Sequence, residues 1–370
     1  MPEFGQLIRT TDRGLYCEAG GFYVDPWRPV DRAVVTHAHS DHACYGCRHY
    51  LSSTAGELLM RLRMPPEADF QFVRYGETVN VGPVKVSLHP AGHMLGSAMV
   101  RLEHRGRVAL VSGDYKLGSD PTCAAWEPVR CHLLVTETTF GLPVYRWPDP
   151  VEVFADINRW WTRSAALGMT SILYAYAIGK SQRLLAGLDP SIGPIYTHGA
   201  VEKGVQAYRD SGIAMPPTTA ISVVDQRNKD QKQFAGSMIL AVPSAHATAW
   251  LRRFGKITTA MASGWMAVRG NRRRRSVDRG FILSDHVDWP ELIEATELCQ
   301  PETIWTAHGY TAAAARFLSE LGYDAHPLWD WNRPATESES DELPDSDSGN
   351  SASGAGSDEV DEAKLQEGPS

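Results

Sequence analysis

The chain has 370 residues, 43% of them hydrophobic, and a formal net charge of −8. This length and composition fit a globular protein of about two domains and exclude a fibrous or wholly disordered chain. No apolar run approaches the ~20 residues that cross a bilayer, and the first residues lack the basic and apolar segments of a signal peptide. We therefore expect a cytoplasmic protein with no membrane partner.

The negative charge is concentrated at the C-terminal end of the chain. Residues 335–370 hold eleven Asp or Glu and one Lys, which leaves about +2 on the rest of the chain. This tail is rich in Ser, Gly, Asp and Glu, so it cannot bury enough apolar surface to offset its chain entropy. We predict a disordered acidic tail over 334–370 that either aids solubility or competes with nucleic acid for a basic groove.

The first predicted buried strand, 32–36, runs directly into the metal-ligating sequence His37-Ala38-His39-Ser40-Asp41-His42. In an extended segment His37, His39 and Asp41 point to one side, and a turn at the end brings a carboxylate and an imidazole to a second point. One short segment can therefore serve two neighbouring cations. Imidazoles mixed with carboxylates favour zinc or manganese over calcium or magnesium.

Three more candidate ligands stand just past predicted strands further along the chain. His93 follows the apolar run 84–88, Asp114 follows 108–112 and His308 follows 303–306. A further predicted strand, 132–136, ends directly before Glu137. Proteins of the α/β class place their chemistry at strand ends. Together with the first cluster these residues predict one complete site for two metal ions.

Between about residues 145 and 257 the pattern indicates a second α/β unit. Helices are predicted over 151–167 and 180–188, and strands over 171–176, 194–197 and 238–242. Residues 258–333 return to strands that end in histidine, including 281–284 before His286. We predict a discontinuous domain of residues 1–144 plus 258–333 and an inserted domain of residues 145–257.

Two shorter motifs point to no separate site. Cys44 and Cys47 form a lone C-x-x-C, which predicts reduced thiols rather than a structural zinc site. Gly179-Lys180-Ser181 resembles part of a P-loop, but Tyr174 stands where the partner glycine belongs, so we predict no nucleotide site. Lys180 at a helix start can still bind a phosphate.

The combined motifs resemble metallo-β-lactamase-fold nucleases of the β-CASP group, and within it the bacterial ligase-associated DNA exonucleases. The narrower resemblance is carried by Thr136–Gly141, Tyr174–Lys180 and Ala262–Trp265, and the whole covers residues of about 5 to 333. It implies an α/β fold: a metallo-β-lactamase αββα sandwich with an inserted α/β β-CASP domain. It also implies a DNA ligase or helicase as a partner.

The resemblance implies a role for each candidate residue. The implied ligands of the first metal are His37, His39 and His93. Those of the second metal are Asp41, His42 and His308, and Asp114 bridges the two metals. Asp25, at the end of an early strand, orients the site from behind. Glu137 and His286 match the first two β-CASP motifs, and Asp41 is counted with them as catalytic.

This ligand set is suited to phosphodiester hydrolysis. Two cations ~3.5–4 Å apart can hold a hydroxide and the scissile phosphate, and metal-bound water ionises near pH ~7. The leaving sugar oxygen then needs a proton. We hypothesise that His286 donates it, held in the correct tautomer by Glu137; the alternative is a purely structural His286.

A basic segment precedes the predicted strand at 281–284. Its arginines are Arg269, Arg272, Arg273, Arg274, Arg275 and Arg279. Guanidinium groups bind phosphates bidentately, so this segment and Lys180 are the predicted nucleic-acid contacts. Trp147, Tyr176 and Trp265 either stack on bases or pack in the core.

The sequence favours a zinc- or manganese-dependent DNA exonuclease that acts in DNA repair or processing, and leaves three alternatives. An RNA-processing β-CASP nuclease carries the same motifs. A small-molecule hydrolase, such as a lactonase, β-lactamase or thioesterase, shares the first motif, but the ~110-residue insert suits a polymeric substrate better. A catalytically inactive binding subunit is disfavoured because all seven ligand positions are filled.

Overall fold

The structure is a computed structural model that describes residues 4–224, 231–268 and 276–328. The predicted acidic tail and the arginines between 269 and 275 lie outside these residues. Of the helices in the described ranges, none has the length and apolar character needed to span a bilayer.

The first sheet follows chain order. Within the described residues its six strands are β1 (Arg9–Thr11), β2 (Gly14–Cys17), β3 (Phe22–Val24), β4 (Arg32–Val34), β5 (His49–Ser53) and β6 (Asp69–Val73). The pairs β1–β2 and β2–β3 are antiparallel, and the remaining neighbours are parallel. Helix α1 (Glu57–Arg63) connects β5 to β6. The predicted metal-ligand segment begins where β4 ends.

The second sheet supplies the other predicted strand-end residues. Its seven described strands are β7 (Thr78–Val81), β8 (Val84–Pro90), β9 (Ala98–His104), β10 (Arg107–Val111), β11 (Leu133–Thr138), β18 (Thr303–Gly309) and β19 (Asp324–Pro327). Their order is β19-β18-β11-β10-β9-β8-β7, with β10, β11, β18 and β19 parallel. The ends of β10, β11 and β18 therefore lie side by side at one edge.

The first two sheets share one hydrophobic core. Side chains alternate along a strand, so Ala109 and Val111 of β10 face the first sheet, where they pack in a cluster with Val24 and Val34. Leu110 points the other way, into a second cluster with helix α5 (Trp289–Cys299). Helix α6 (Thr311–Glu320) covers β18 and β19.

The third sheet is parallel throughout. Its six described strands, in spatial order, are β14 (Thr219–Ala220), β13 (Ile195–Thr197), β15 (Met238–Ala241), β12 (Thr170–Tyr174), β16 (Ile257–Ala262) and β17 (Arg279–Phe281). Helices α2 (Pro150–Ala166), α3 (Lys180–Gly187) and α4 (Gly199–Asp210) belong to the same stretch of chain. The apolar strands and the helices match the α/β unit predicted for this region.

The third sheet extends past residue 257, where we placed the end of the insert. Strand β16 pairs in parallel with β12, and β17 pairs with β16 through Ala260–Arg279 and Ala262–Phe281. The chain therefore returns to the second sheet only after β17. The strand predicted over 281–284 is wrong for 282–284: the strand here is β17, which ends at Phe281 and belongs to the third sheet. The division into domains as a whole stays a prediction.

Gly92 allows two ligand-bearing loops to approach each other. Its φ is +73°, and a Cβ there would lie 2.2 Å from the main-chain oxygen of Lys116, on the loop that follows Asp114. The neighbouring main chains are joined by the Lys116 N–H, which donates to Ala91 O at 2.9 Å. Any side chain at this position must push the loops of His93 and Asp114 apart.

We expect Gly92→Ala to destabilise the protein more than Gly76→Ala. Gly76 has nearly the same φ, +75°, but a Cβ there meets nothing within 4 Å. The control therefore carries only the left-handed backbone cost of about 1–2 kcal/mol, whereas Gly92→Ala adds roughly 1–3 kcal/mol of overpacking. Thermal unfolding of both variants measures the difference, and equal midpoints would contradict the steric argument.

Candidate metal centre

Asp25 ties the ligand segment to the end of β3. Its carboxylate accepts hydrogen bonds from Thr36 N at 2.8 Å and Thr36 Oγ1 at 2.6 Å, and lies 2.7 Å from Nδ1 of His42. Asp25 has a φ of +43° and is 4% exposed. The structure thus places Asp25 behind the ligands, in contact with both ends of the segment from Thr36 to His42.

Four buried side chains converge on one point at the adjacent edges of the first two sheets: His37, His39, His93 and Asp114. The Nε2 atoms of His37 and His93 each lie 3.1 Å from Nδ1 of His39. Asp114 Oδ2 lies 3.6 Å from His37 Nε2 and 3.9 Å from His93 Nε2. A tetrahedral site with bonds of about 2.0–2.1 Å separates its ligand atoms by about 3.3 Å. The four side chains therefore fit a small divalent ion.

The outward-facing nitrogen of each histidine contacts an oxygen of the protein. His37 Nδ1 lies 3.0 Å from Thr36 Oγ1, His93 Nδ1 lies 2.8 Å from the main-chain oxygen of Asp285, and His39 Nε2 lies 3.2 Å from that of Ile178. Contacts of this kind fix the tautomer and orientation of a metal-binding imidazole. The lone pair of the other nitrogen is then available to the metal.

His42, Asp41 and His308, the predicted ligands of the second metal, lie close to Asp114 or to one another. His42 Nε2 is buried without a hydrogen-bond partner, with Asp114 Oδ2 3.4 Å and Asp41 Oδ2 3.9 Å away. The rings of His42 and His308 stack at 5.3 Å. An orphaned imidazole nitrogen facing two carboxylates is a suitable position for a cation. Asp41, whose side chain is 29% exposed, lies on the solvent side.

A bulge in β18 directs His308 towards the site. In the pairing with β11, Glu137 lies opposite Ala307 but Thr138 lies opposite Gly309, so His308 is the extra residue. Its φ is +53°, and its main-chain oxygen accepts a hydrogen bond from Thr138 Oγ1. Such bulges re-aim side chains at the ends of strands.

Among the candidate histidine ligands, the pKa of His42 is shifted in the opposite direction from those of His37, His93 and His308. Burial lowers the pKa of His93 to about 3 and that of His308 to about 4, and burial together with the neighbouring histidines lowers the pKa of His37. Burial also disfavours charge on His42, but Asp114, Asp41 and Asp25 outweigh it and raise its pKa well above the usual value. Metal binding by His42 therefore requires it to lose a proton, whereas His37 and His93 are already neutral.

Glu137 and His286 form an ion pair at the rim of the cluster. His286 Nδ1 lies 2.9 Å from Glu137 Oε2 and 3.9 Å from Asp114 Oδ2. Burial would lower the pKa of His286, but Glu137 and Asp114 outweigh it and raise the pKa to about 10. The His286 side chain is 13% exposed, whereas Glu137 is fully buried. The contact with Glu137 uses Nδ1, so Nε2 is the ring nitrogen that this carboxylate does not hold.

The residues predicted to contact the nucleic-acid backbone differ in where they lie. Lys180 is 2% exposed and forms an ion pair with Asp285 at 3.0 Å, so the structure does not present it to a substrate phosphate. Arg269 and Arg272–Arg275 lie outside the described residues, and the guanidinium of Arg279 lies over the Phe281 ring at 4.9 Å.

The aromatic residues predicted to stack on bases or pack in the core contact other residues of the protein. The rings of Trp147 and Trp265 each lie 4.8 Å from that of Phe140, and Trp147 Nε1 donates to His286 O. Tyr176 is 8% exposed. These contacts favour the core-packing alternative and add Phe140, which sequence reasoning missed, as a neighbour of His286 at 6.0 Å between ring centroids.

The chain is similar to several known proteins. A probable DNA ligase of Opitutus terrae is 33% identical over 322 residues, which is 86% of this chain and 31% of that protein. An RNase J-like protein of Methanocaldococcus jannaschii is 24% identical over 218 residues, 49% of this chain and 50% of that protein. A solved structure from Enterococcus faecalis, of unknown function, superposes with a TM-score of 0.51 at 11% identity over 76% of both chains and supports the fold alone. No family model matches the sequence.

The mixed α/β sheets and the buried His/Asp cluster are consistent with the metallo-β-lactamase type of fold that the relatives indicate. The chain belongs to the β-CASP group of that fold, and its match to a ligase-named protein fits the ligase-associated family. The chain spans about a third of the ligase-named relative and about half of the RNase J-like one.

Proposed function

We propose that the protein is a metal-dependent nuclease that hydrolyses phosphodiester bonds, with a metallo-β-lactamase αββα sandwich as the unit that carries the metals. The single observation that carries this proposal is the convergence of His37, His39, His93 and Asp114 beside His42, with the Glu137–His286 pair at the rim. We propose zinc for this cluster because imidazole nitrogens and carboxylate oxygens are both among the ligands that zinc takes in catalytic sites.

Each side chain has a distinct part in the proposed reaction. When bound, two divalent ions supply Lewis-acid polarisation of the phosphate and activation of water. Asp114, which lies beside both groups of ligands, would be shared by the two ions. Asp41, the more exposed carboxylate, would hold the second ion from the solvent side. His286 donates a proton to the leaving sugar oxygen, and Glu137 holds Nδ1 of that imidazole.

We propose DNA as the substrate and exonucleolytic cleavage as the mode of action. The similarity to a protein named as a DNA ligase supports DNA and suggests a ligase as a partner in repair. The similarity to an RNase J-like protein supports RNA as the alternative substrate. The arginines Arg269 and Arg272–Arg275 are proposed as contacts to the polymer backbone because five guanidinium groups in seven residues suit a phosphate chain.

End-labelled polymers test this proposal. Purified full-length protein is incubated with single- and double-stranded DNA and RNA, each labelled at the 5′ or the 3′ end, with Zn²⁺, Mn²⁺ or Mg²⁺. We expect mononucleotides or short products from DNA with Zn²⁺ or Mn²⁺. A ladder that grows from one labelled end indicates an exonuclease, whereas internal fragments from both labels indicate an endonuclease.

The same assay separates the remaining alternatives. Efficient cleavage of RNA with intact DNA would replace the DNA assignment and keep the nuclease. Hydrolysis of a lactone, β-lactam or thioester, with no release of label from any polymer, would overturn the nuclease proposal. The control protein is Asp114→Asn, prepared in parallel, because a contaminating nuclease retains its activity in that preparation.

A further inference from the structure

The turn before helix α3 contacts a ligand of the first metal site from the side of the third sheet. The main-chain oxygen of Ile178 lies 3.2 Å from Nε2 of His39, whose Nδ1 faces the other ligands. Gly179, with a φ of +84°, follows at once, and a Cβ there would lie 3.6 Å from the same Nε2 atom. This turn therefore fixes the outer edge of the His39 ring.

The next residue, Lys180, reaches a second ligand through Asp285. Its Nζ lies 3.0 Å from Asp285 Oδ1 and 4.8 Å from the centre of the Tyr176 ring. The main-chain oxygen of Asp285 lies 2.8 Å from His93 Nδ1. The side chains of Lys180 and Asp285 are 2% and 4% exposed, so water screens this ion pair little.

Arg183 holds the same segment from the next turn of α3. It lies three residues after Lys180 and so shares its face of the helix. Its guanidinium donates to the main-chain oxygen of Ser284 and pairs with Asp120 at 3.2 Å. Arg183 and Lys180 of α3 therefore contact Ser284 and Asp285, respectively, which are the two residues directly before His286. The helix lies in the third-sheet unit, and its acidic partners lie in the chain around the metal cluster.

We propose that Lys180 is a positioning residue for the first metal site: through Asp285 it fixes the carbonyl that orients His93, while the adjoining turn fixes His39. The unit that contains the third sheet therefore contributes to the metal site. The proposal rests on metal binding within the proposed function and not on cleavage. It assigns a structural part in metal binding to a residue that the sequence motif suggested as a phosphate contact.

Zinc affinity of the full-length Lys180→Met variant tests the proposal. Methionine keeps most of the buried volume and removes the charge. We expect zinc to bind about 10-fold more weakly, the lower end of the ~10- to 100-fold loss caused by removing an outer partner of a metal ligand, because the Asp285 carbonyl itself stays. The measurement titrates metal-free protein with Zn²⁺ against a chromophoric chelator. Lys85→Met is the matched control, because Lys85 pairs with Glu103 on the surface with 57% of its side chain exposed.

A second variant separates positioning from simple charge compensation. Lys180→Met leaves the Asp285 carboxylate buried without its cation and can unfold the protein. The double variant Lys180→Met with Asp285→Asn removes both charges and keeps the main-chain carbonyl, so it is expected to fold and still to bind zinc weakly. Native zinc affinity in the double variant, or in a folded Lys180→Met protein, would overturn the proposal. Wild-type protein that binds zinc but cuts no polymer would refute the nuclease and leave this inference intact.

Discussion

Replacing Asp114 with asparagine is expected to reduce phosphodiester hydrolysis by at least about 10³-fold, equivalent to several kcal/mol of transition-state stabilisation. Asp114 Oδ2 lies 3.6 Å from His37 Nε2 and 3.4 Å from His42 Nε2, so one carboxylate oxygen faces both groups of ligands. Asparagine has nearly the same shape but no charge, and its amide cannot bridge two cations as a carboxylate does. The measurement pairs kcat/KM on end-labelled DNA with metal content by elemental analysis.

The control for Asp114→Asn is Asp69→Asn. Asp69 also pairs with a histidine, His49, at 2.6 Å, but its side chain is 67% exposed. Both variants remove one carboxylate from a histidine, and only one of them touches the cluster. We expect Asp69→Asn to keep full activity and metal content. Two bound metals and native turnover in Asp114→Asn would show that this carboxylate bridges nothing and that the proposed site is wrong.

The sequence allowed the residues of the candidate metal cluster to be predicted because they stand at or near the ends of strands. His37, Asp114 and His308 stand near the ends of β4, β10 and β18, and those ends meet at one edge of the paired sheets. A short apolar run identifies a buried strand, and the polar residue that follows the run stands out from it. The burial pattern that builds the core therefore also marks the candidate site.

Contacts that depend on how the insert docks were not predictable from local patterns. Lys180 and Asp285 are 105 residues apart, and their ion pair forms only because α3 lies against the loop before His286. The sequence marked Lys180 as a cation at a helix start but gave no sign of its partner. The extension of the third sheet by β16 and β17 has the same cause, because parallel strands pair across long connections that no turn signal announces.

The outer partners of the ligands are partly main-chain atoms, which no residue type identifies. The oxygen of Ile178 contacts His39, and that of Asp285 contacts His93. Any residue offers such an oxygen, so the backbone path alone decides which one is used. Glu137, by contrast, was predicted from its match to the first β-CASP motif, and the structure places it near the end of β11.

His286→Ala is expected to lower the turnover of DNA by 10²- to 10⁴-fold at neutral pH with the metal content unchanged. The imidazole contacts Glu137 through Nδ1 at 2.9 Å and is 13% exposed, so in the proposed reaction its other nitrogen, Nε2, gives the proton to the leaving oxygen. Alanine removes that donor. A sugar alkoxide is a poor leaving group, and its departure then depends on solvent for a proton.

A substrate with a stable leaving group isolates this role from metal or phosphate binding. A p-nitrophenyl ester of thymidine 5′-phosphate releases p-nitrophenolate, which leaves without a proton. His286→Ala should therefore hydrolyse it within a few-fold of the wild-type rate while failing on DNA. Equal losses on both substrates would mean that His286 shapes the metal site or binds phosphate. Glu137→Gln is the companion variant: glutamine can still contact Nδ1 but does not stabilise the imidazolium, so its loss on DNA should be smaller, about 10- to 100-fold, and should likewise vanish on the nitrophenyl ester.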